Sequence, residues 1–363
     1  MRGLITLLPG DGIGPEVVAA ARQVLEAVAA VYGHRFEFRE ASIGGCAMDA
    51  TGSPLPQSTL EACLTADAVL LGAVGGPRWS DPSASQRPEQ GLLALRRAMG
   101  VFANLRPIAS HPALWPASPL KDAVLANVDI LFVRELTGGI YFGDKHRDAD
   151  SASDLSRYTR AEIERVVRLA CRLAGQRRGL VTSVDKANVL ETSRLWRETA
   201  SRIAREEFPG IRLEHALVDA TAMQLIQDPR HFDVVVTENM FGDILSDEAS
   251  VITGSIGMLP SASLAATGPG LYEPIHGSAP DIAGLGVANP CGTILSAAML
   301  LEHSLGLVAE ARAVEGAVWA TIAAGVGTAD IRPRDGRRSD GTREVVAAIV
   351  AALLNGSADR AIA

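Results

Sequence analysis

Short apolar runs alternate with helical patterns through most of the sequence, and this alternation is the feature that most limits how the chain can fold. Apolar runs bounded by turn residues are typical of buried strands, whereas apolar residues at helical spacing indicate amphipathic helices. The first run, residues 4–8, is followed by a predicted helix at residues 15–31 that begins with proline. Repeated strand-then-helix units of this kind predict an α/β fold. Further strands are predicted at residues 36–39, 68–72, 129–134, 179–184, 212–218 and 233–237.

Two stretches interrupt the alternation. Residues 107–119 contain four prolines and are predicted to connect two lobes of the protein. Residues 137–158 are too polar for a core element and too long for an ordinary loop, which predicts a protruding arm. Because Ile140, Tyr141 and Phe142 place apolar side chains at the base of this arm, we expect it to contact a partner chain.

Length and composition indicate a globular protein of about two domains. The chain has 363 residues, of which 47% are hydrophobic and 21% are charged. Its net charge of −8 argues against a nucleic-acid-binding surface. A short basic patch is interleaved with aspartates and is predicted to be a solvated loop; it consists of Arg332, Arg334, Arg337 and Arg338.

The cysteines and the apolar segments indicate the cellular compartment of the protein. The four cysteines form no C-x-x-C pair and no tight cluster, which argues against zinc ligation and a disulfide framework. They are expected to be packing residues in a reducing compartment. The sequence shows no leader-like first segment and no apolar stretch of the roughly 20 residues needed to cross a bilayer. We therefore expect a cytoplasmic protein with no membrane partner.

Asp243 and Asp247 are the clearest candidates for metal ligands. They lie four residues apart in FGDILSDEAS, directly after the apolar run FDVVVTEN, so a strand followed by a helix would place both carboxylates on one helical face. Like charges at this spacing repel each other, and a bound divalent cation would remove the repulsion. Carboxylate oxygens are ligands that Mg²⁺ and Mn²⁺ prefer. The alternative for an isolated D-x-x-x-D pair is a solvated helical face.

Three arginines lie beside segments that are predicted to be buried. Arg96 lies at the end of the amphipathic segment LLALRR, Arg106 lies in the apolar strand-like segment VFANLRPI, and Arg134 ends the strand DILFVR. An unpaired guanidinium in such a place is costly, and its planar fork matches a carboxylate. Together the three would suit a di- or tricarboxylate, although each taken alone could equally form a structural ion pair.

Lys186 and Asp219 each follow a predicted strand. A lysine at a strand end can be desolvated and held near a cation, which would make Lys186 a candidate general base. Asp219 ends RLEHALVD and could supply a third carboxylate. Taken singly, each residue is more often a helix cap or a surface charge.

Two glycine-containing segments are candidates for binding a nucleotide. LPGDGIGPE, residues 8–16, follows the first strand, but Pro15 stands where the third glycine of a G-x-G-x-x-G fingerprint would fall. A Rossmann fold is therefore not expected. EPIHGSAPDIAG, residues 273–284, could surround a planar ligand, with Asp281 available for the hydroxyls of a ribose. Spacing alone makes this a weak signal.

Taken in order, these motifs resemble the isocitrate/isopropylmalate dehydrogenase family of decarboxylating β-hydroxyacid dehydrogenases, and within it the isopropylmalate enzymes. The similarity also includes RPEQGLLALRR, VRELTGGIYFG, SVDKANVLETSRLWR and GSIGMLPSASL, and it covers almost the whole chain. It implies a two-lobed α/β fold with a cleft between the lobes and a protruding arm at about residues 137–158. Residues 1–101 and 254–363 would form the first, NAD-binding lobe, and residues 102–253 the second, dimerising lobe.

The resemblance implies a role for each matching residue. Lys186 would be the general base and Tyr141 the acid that protonates the enol. The divalent-metal ligands would be Asp219, Asp243 and Asp247, and the substrate carboxylates would be held by Arg96, Arg106 and Arg134. The cofactor would contact Ile13, Gly257, Glu273, His276, Gly277, Ser278, Ala279, Asp281 and Asn289. Lys186 and Asp219 would reach into the partner subunit, so that a homodimer shares its active sites.

The resemblance also implies a substrate and a cofactor. Glu89, Leu92, Leu93 and Val189 match the pocket for a branched alkyl group, which favours 3-isopropylmalate, oxidised and decarboxylated to 4-methyl-2-oxopentanoate in leucine biosynthesis. The charge of Asp281 would repel a 2′-phosphate, which favours NAD over NADP. Tartrate, malate and homoisocitrate are the rival substrates. A non-catalytic regulatory subunit is a second alternative, but it would be expected to lack one of the catalytic or metal-binding residues.

Overall fold

The structure is a computed structural model and describes residues 1–81, 84, 86–332 and 339–361. Arg334, Arg337 and Arg338 of the basic patch lie outside these residues. The chain divides into two compact units. The first consists of Met1–Gly100 together with Gly254–Ala363, and the second of Val101–Thr253.

Strands form the centre of each unit. In chain order they are β1 (Arg2–Gly10), β2 (Arg35–Glu40), β3 (Ala68–Ala73), β4 (Val101–Ala109), β5 (Asp129–Glu135), β6 (Lys145–Arg147), β7 (Ala152–Asp154), β8 (Leu180–Asp185), β9 (Arg212–Leu217), β10 (Val234–Thr237), β11 (Pro260–Ala265) and β12 (Gly270–Pro274). Those of the first unit lie in the order β2-β1-β3-β12-β11, and those of the second in the order β4-β5-β10-β8-β9. Neighbours are parallel except for β11 with β12 and β4 with β5.

Helices connect most of these strands, as the strand-then-helix pattern predicts. In chain order they are α1 (Gly14–Tyr32), α2 (Gly45–Thr51), α3 (Gln57–Leu64), α4 (Pro88–Met99), α5 (Asp122–Leu125), α6 (Arg160–Ala174), α7 (Glu191–Glu207), α8 (Val218–Gln227), α9 (Asn239–Thr253), α10 (Cys291–His303), α11 (Val308–Ala323) and α12 (Thr342–Ala361). The α/β fold class is confirmed. Among the described residues, no helix is long and apolar enough to cross a membrane.

The pattern of buried apolar residues explains why the strands and helices form where they do. β3 and β8 are buried along their whole length, as is typical of parallel strands covered on both faces. α6 places six buried residues along one stripe, which is the predicted core face. Its first turn is fixed by a capping box in which Thr159 and Glu162 bond each other's backbone N–H groups.

Two sequence predictions about local structure are wrong. Residues 107–119 do not connect the two units: they lie inside the second unit, where Pro107 belongs to β4 and Pro112–Ala117 forms a 3₁₀ turn. Asp219 does not end a strand. β9 stops at Leu217, the last residue paired with β8, and the chain enters α8 at once, so Asp219 lies in the first turn of that helix.

The polar segment 137–158 forms irregular structure and a small exposed ribbon. A 3₁₀ turn at Gly139–Tyr141 is followed by β6 and β7, which pair antiparallel to each other. Both strands are exposed, and Lys145 pairs with Asp154 at 2.9 Å across them. The segment contributes nothing regular to the core, in agreement with its composition.

Candidate active site

The carboxyl ends of β5 and β10 position the candidate site of the second unit. These strands are parallel neighbours, and Arg134 near the end of β5 is aligned with Thr237, the last residue of β10. The chain then enters α9 at Asn239. Because functional residues in α/β sheets gather where parallel strands end, this edge of the sheet is the expected place for a site.

At this edge, an acidic face of α9 meets two arginines. Arg106 Nη2 lies 3.3 Å from Asp243 Oδ1, and its Nη1 lies 3.1 Å from Asp247 Oδ1. Arg134 Nη1 also donates to Asp243 Oδ1. Asp243 and Asp247 thus share one helical face, as their spacing predicts. Both carboxylates are ion-paired with arginines, although the Asp247 side chain remains 53% exposed.

Both arginines are anchored from behind by neutral polar side chains. Arg106 Nε donates to Asn104 Oδ1 at 2.7 Å, and its Nη1 donates to Ser246 Oγ at 2.6 Å. Arg134 donates from Nε and Nη2 to Asn239 Oδ1, at 3.0 and 2.8 Å. The two arginines are only 6% and 2% exposed, so each guanidinium is held in a fixed orientation.

Tyr141 joins the same cluster. Its hydroxyl donates to Asp243 Oδ2 at 2.9 Å, and the Arg134 guanidinium lies 5.7 Å from the centre of its ring. Burial and the negative charge of Asp243 raise the pKa of the Tyr141 phenol to about 12. The hydroxyl therefore keeps its proton at neutral pH and remains a donor.

Lys186 and Asp219 form a separate pair within the chain. Lys186 Nζ lies 2.9 Å from an oxygen of Asp219, and this hydrogen bond lowers the pKa of the Asp219 carboxyl. Across the part of the chain that the structure describes, no three His, Cys, Asp or Glu side chains are grouped to hold a metal ion. Asp219 therefore does not join Asp243 and Asp247 within one chain.

In the first unit, one face of α4 carries four of the predicted substrate residues. Glu89, Leu92, Leu93 and Arg96 follow the spacing i, i+3, i+4, i+7, which places them along one stripe of the helix. Arg96 Nη2 donates to Glu273 at 2.6 Å, and both side chains are nearly buried. Leu92 and Leu93 are half-buried. Val189 belongs to the second unit and is 61% exposed.

A tight contact joins the first glycine-rich turn to the loop after β12. Ile13 N donates to Ser278 O at 2.8 Å. A Cβ on Gly12, whose φ is +59°, would lie 2.0 Å from the same oxygen, so this position requires glycine. The glycines of LPGDGIGPE therefore allow close backbone approach.

Several of the predicted cofactor-binding residues belong to the loop after β12. His276 Nδ1 donates to Gly277 O at 2.9 Å, while the buried Nε2 atom has no partner. Burial lowers the pKa of His276, so its ring stays neutral and Nε2 is an acceptor. Ala279 adopts a left-handed conformation with φ of 38°, and Asp281 is exposed.

The far end of this loop is held by Asp330. Asn289 Nδ2 donates to Asp330 at 2.9 Å, and a Cβ on Gly257 would come within about 3 Å of both side chains. Asn289 and Gly257 are therefore neighbours within the first unit.

Comparison with known proteins identifies the family. The family model for isocitrate/isopropylmalate dehydrogenases matches residues 4–349. The chain belongs to this family. It is 55% identical over 358 residues to the 3-isopropylmalate dehydrogenase of Halalkalibacterium halodurans, covering 97% of this chain and 98% of the relative. It is 60% identical over 336 residues to that of Anaeromyxobacter dehalogenans, with coverage of 91% and 95%.

A solved structure agrees with the family. The isocitrate dehydrogenase of Methylococcus capsulatus has a TM-score of 0.85 and is 36% identical, with 97% of this chain and 99% of that chain covered. The α/β fold of the family and an oxidoreductase activity follow for this chain. The expected absence of a Rossmann fold agrees with this family.

Family membership implies a nicotinamide cofactor and a divalent metal, and the side chains present fit both groups. The unpartnered Nε2 of buried His276 is an acceptor without a donor, as expected beside a ligand. The oxygen donors of Asp243 and Asp247 suit a hard cation. Burial raises the pKa of Asp247, while the positive charge of Arg106 acts in the opposite direction.

Sequence reasoning missed the polar residues that orient these groups. Asn104, Ser246 and Asn239 bond the two arginines, and Asp330 bonds Asn289. One signal was available: Asn239 lies four residues before Asp243, so it belongs to the same helical face. Asp330 offered none, because it is distant in sequence from every motif.

Proposed function

We propose that the chain catalyses the NAD-dependent oxidative decarboxylation of 3-isopropylmalate to 4-methyl-2-oxopentanoate and CO₂ in leucine biosynthesis. The observation that carries this proposal is the cluster of the second unit, where two buried arginines, two aspartates and a protonated tyrosine meet. The named relatives support the substrate, since 3-isopropylmalate dehydrogenases are more similar to the chain than the solved isocitrate dehydrogenase is.

Arg106, Arg134 and Arg96 bind the two carboxylates of the substrate. Each guanidinium presents a planar fork of N–H donors that matches a carboxylate. In the second unit these forks are turned toward aspartates, and these contacts with anionic oxygens support the proposal. Arg96 has a buried Nε without a partner, so it too has a donor to offer.

Asp243 and Asp247 hold the divalent cation, Mg²⁺ or Mn²⁺, together with Asp219 of a second copy of the chain. When bound, the metal acidifies the substrate hydroxyl and stabilises negative charge on the adjacent oxygen during decarboxylation. Asp219 is 63% exposed, which leaves it accessible to a second chain.

Lys186 and Tyr141 move the protons. Lys186 would accept the proton of the substrate hydroxyl, and the nicotinamide, when bound, would take the hydride from the carbon that carries this hydroxyl. Loss of CO₂ then leaves an enolate, and Tyr141 protonates its carbon. The high pKa of Tyr141 supports this role because the phenol is protonated when the step begins.

The alkyl group of the substrate lies against Leu92 and Leu93, with Glu89 and Val189 beside it. Half-buried leucines favour a branched alkyl chain, because contact removes apolar surface from water. A third carboxylate, as in isocitrate, would find no positive partner among these residues. This chemistry favours 3-isopropylmalate over isocitrate and homoisocitrate.

NAD binds along the loop after β12. Its site would be lined by Ile13, Gly257, Glu273, His276, Gly277, Ser278, Ala279, Asp281 and Asn289. Asp281 would accept from the ribose hydroxyls. The exposed carboxylate of Asp281 would repel a 2′-phosphate, which favours NAD over NADP.

Two copies of the chain share each active site, and the arm at residues 137–158 contributes to their contact. This explains why Lys186 and Asp219 pair with each other rather than with the remaining site residues of the same chain. We also place the protein in the cytoplasm, a reducing compartment in which its four free cysteines would stay unpaired.

Turnover of a panel of 2-hydroxy acids tests the proposal. Isopropylmalate, malate, tartrate, isocitrate and homoisocitrate are compared at fixed NAD and Mg²⁺, with NADH absorbance and CO₂ release as readouts. The proposal requires the highest kcat/KM for 3-isopropylmalate, with one CO₂ released per NADH formed. A preference for malate, tartrate or a tricarboxylate, or NADH without CO₂, would contradict it.

A further inference from the structure

Asn239 forms hydrogen bonds to several of the groups that surround the candidate site. Its Oδ1 accepts from Nε and Nη2 of Arg134, at 3.0 and 2.8 Å. Its Nδ2 donates to Gly138 O at 3.2 Å, in the turn that leads to Tyr141. Its backbone N–H donates to the Tyr158 hydroxyl at 3.0 Å. One asparagine, 1% exposed, therefore connects an arginine, the turn before a tyrosine and the start of α9.

We propose that Asn239 is a positioning residue that sets the orientation of Arg134 for the substrate carboxylate. This inference rests on the proposed function, because it assumes that Arg134 binds a carboxylate of the hydroxy acid. Asn239 holds the two N–H groups on one edge of the guanidinium. The remaining Nη1 points at Asp243, the residue that also accepts from the Tyr141 hydroxyl.

The chemistry of the residue explains why an asparagine suits this place. A neutral carbonyl oxygen can accept from the guanidinium without cancelling its charge, whereas an aspartate would compete with the substrate carboxylate. The amide also supplies a donor, which satisfies the buried Gly138 carbonyl. A long arginine side chain loses rotamer freedom when it is fixed, and this cost is met before the substrate arrives.

Arg106 shows the same arrangement on the neighbouring strand. Its Nε donates to Asn104 Oδ1, and Asn104 is the residue on β4 that is aligned with Arg134 on β5. Each arginine of the second-unit cluster thus has an asparagine carbonyl behind its Nε atom. Repetition of the arrangement at two arginines supports a positioning role rather than an isolated packing contact.

The variant Asn239→Ala tests the proposal in the full-length enzyme. Loss of hydrogen bonds to a charged group predicts a KM for the hydroxy acid that rises on the order of tenfold, with the KM for NAD within about twofold of the wild-type value. Thr237→Val is the matched control: Thr237 is buried two residues away and bonds Val184 O, not an arginine. This control should leave both KM values unchanged.

A double-mutant cycle with Arg134→Lys separates positioning from general damage. If Asn239 acts through Arg134, then Asn239→Ala should change the hydroxy-acid KM less than about twofold in the Arg134→Lys background. Should Asn239→Ala be poorly folded, Asn239→Asp replaces it, since aspartate is favoured at a helix start and its charge beside Arg134 also predicts a higher KM.

The outcomes distinguish this inference from the proposed function. Independent, multiplicative effects in the cycle, an unchanged hydroxy-acid KM, or equal increases in both KM values would overturn the positioning role while wild-type turnover persists. Absence of turnover of every hydroxy acid by the wild-type enzyme would instead refute the proposed function, and with it the basis of the inference.

Discussion

Gly242→Ala measures how closely Arg134 is packed against α9. Gly242 is buried in this helix, and a Cβ built on it would lie 2.7 Å from Arg134 Cγ and 2.9 Å from Arg134 Cβ. Both distances are shorter than real side-chain contacts, so either the arginine or the helix must shift. The atoms involved belong to the inner part of the arginine side chain, which cannot move without turning its guanidinium.

The change in the free energy of unfolding caused by Gly242→Ala depends on two opposing effects. Alanine is preferred over glycine in a helix interior by about 0.8–1.0 kcal/mol. Overpacking of a well-filled site costs about 1–3 kcal/mol. Gly316, in α11, is the matched control because a Cβ there meets nothing within 4 Å. Since the helix preference is common to both positions, Gly242→Ala should be less stable than Gly316→Ala by about 1–3 kcal/mol.

Urea unfolding and steady-state kinetics check this prediction. Gly316→Ala should unfold at a higher urea concentration than the wild-type protein and keep its KM for the hydroxy acid. Gly242→Ala should unfold below Gly316→Ala and show a raised KM, because Arg134 is displaced. Equal stabilisation by both substitutions, with unchanged kinetics, would refute the close packing of Arg134 on this helix.

Three further predictions concern single side chains. Lys186→Ala should lower kcat by about 10²–10⁴-fold while the Kd for NAD stays within about twofold, and near-normal turnover at neutral pH would remove Lys186 as the base. Asp281→Ala should shift the NADP-to-NAD ratio of kcat/KM toward NADP on the order of tenfold, measured by coenzyme competition; an unchanged ratio would exclude its role in selectivity. Burial raises the pKa of Glu238 above its ordinary 4.5, so the folded protein binds this proton more tightly, and the associated stability is lost as pH rises through the folded-state pKa. Glu238→Gln should therefore raise the melting temperature at pH 7–8 but not below about pH 4.5, whereas a constant difference across this range would contradict the shifted pKa.

Local patterns were sufficient to predict most elements of the fold. The apolar run before α9 predicted the strand β10, and the apolar stripe at helical spacing predicted α6. Both elements form where expected. The wrong predictions concern segments whose composition is compatible with more than one local structure. The prolines at 107–119 suggested a connection, but Pro107 lies within β4, where it is aligned with Leu131 of β5 in an antiparallel register.

From sequence patterns alone, only those site residues that lie close together in the sequence could be predicted to be neighbours. Asp243 and Asp247 share a helical face, and that face follows from their spacing. Their partnership with Arg106, about 140 positions earlier, depends on the pairing of β4 with β5 and on α9 packing beside them. The resemblance to the family supplied the roles of these residues, while the asparagines behind the arginines required the structure.

Complementation between two inactive variants tests most directly whether the active site is shared between chains. Differently tagged Lys186→Ala and Asp243→Ala chains are co-expressed, and the mixed dimer is isolated through both tags. One of its two sites then combines an intact Asp243 from one chain with an intact Lys186 from the other, so the mixed dimer should show about half the wild-type kcat for 3-isopropylmalate. Each parent alone should be inactive, and a mixed dimer as inactive as both parents would contradict the account.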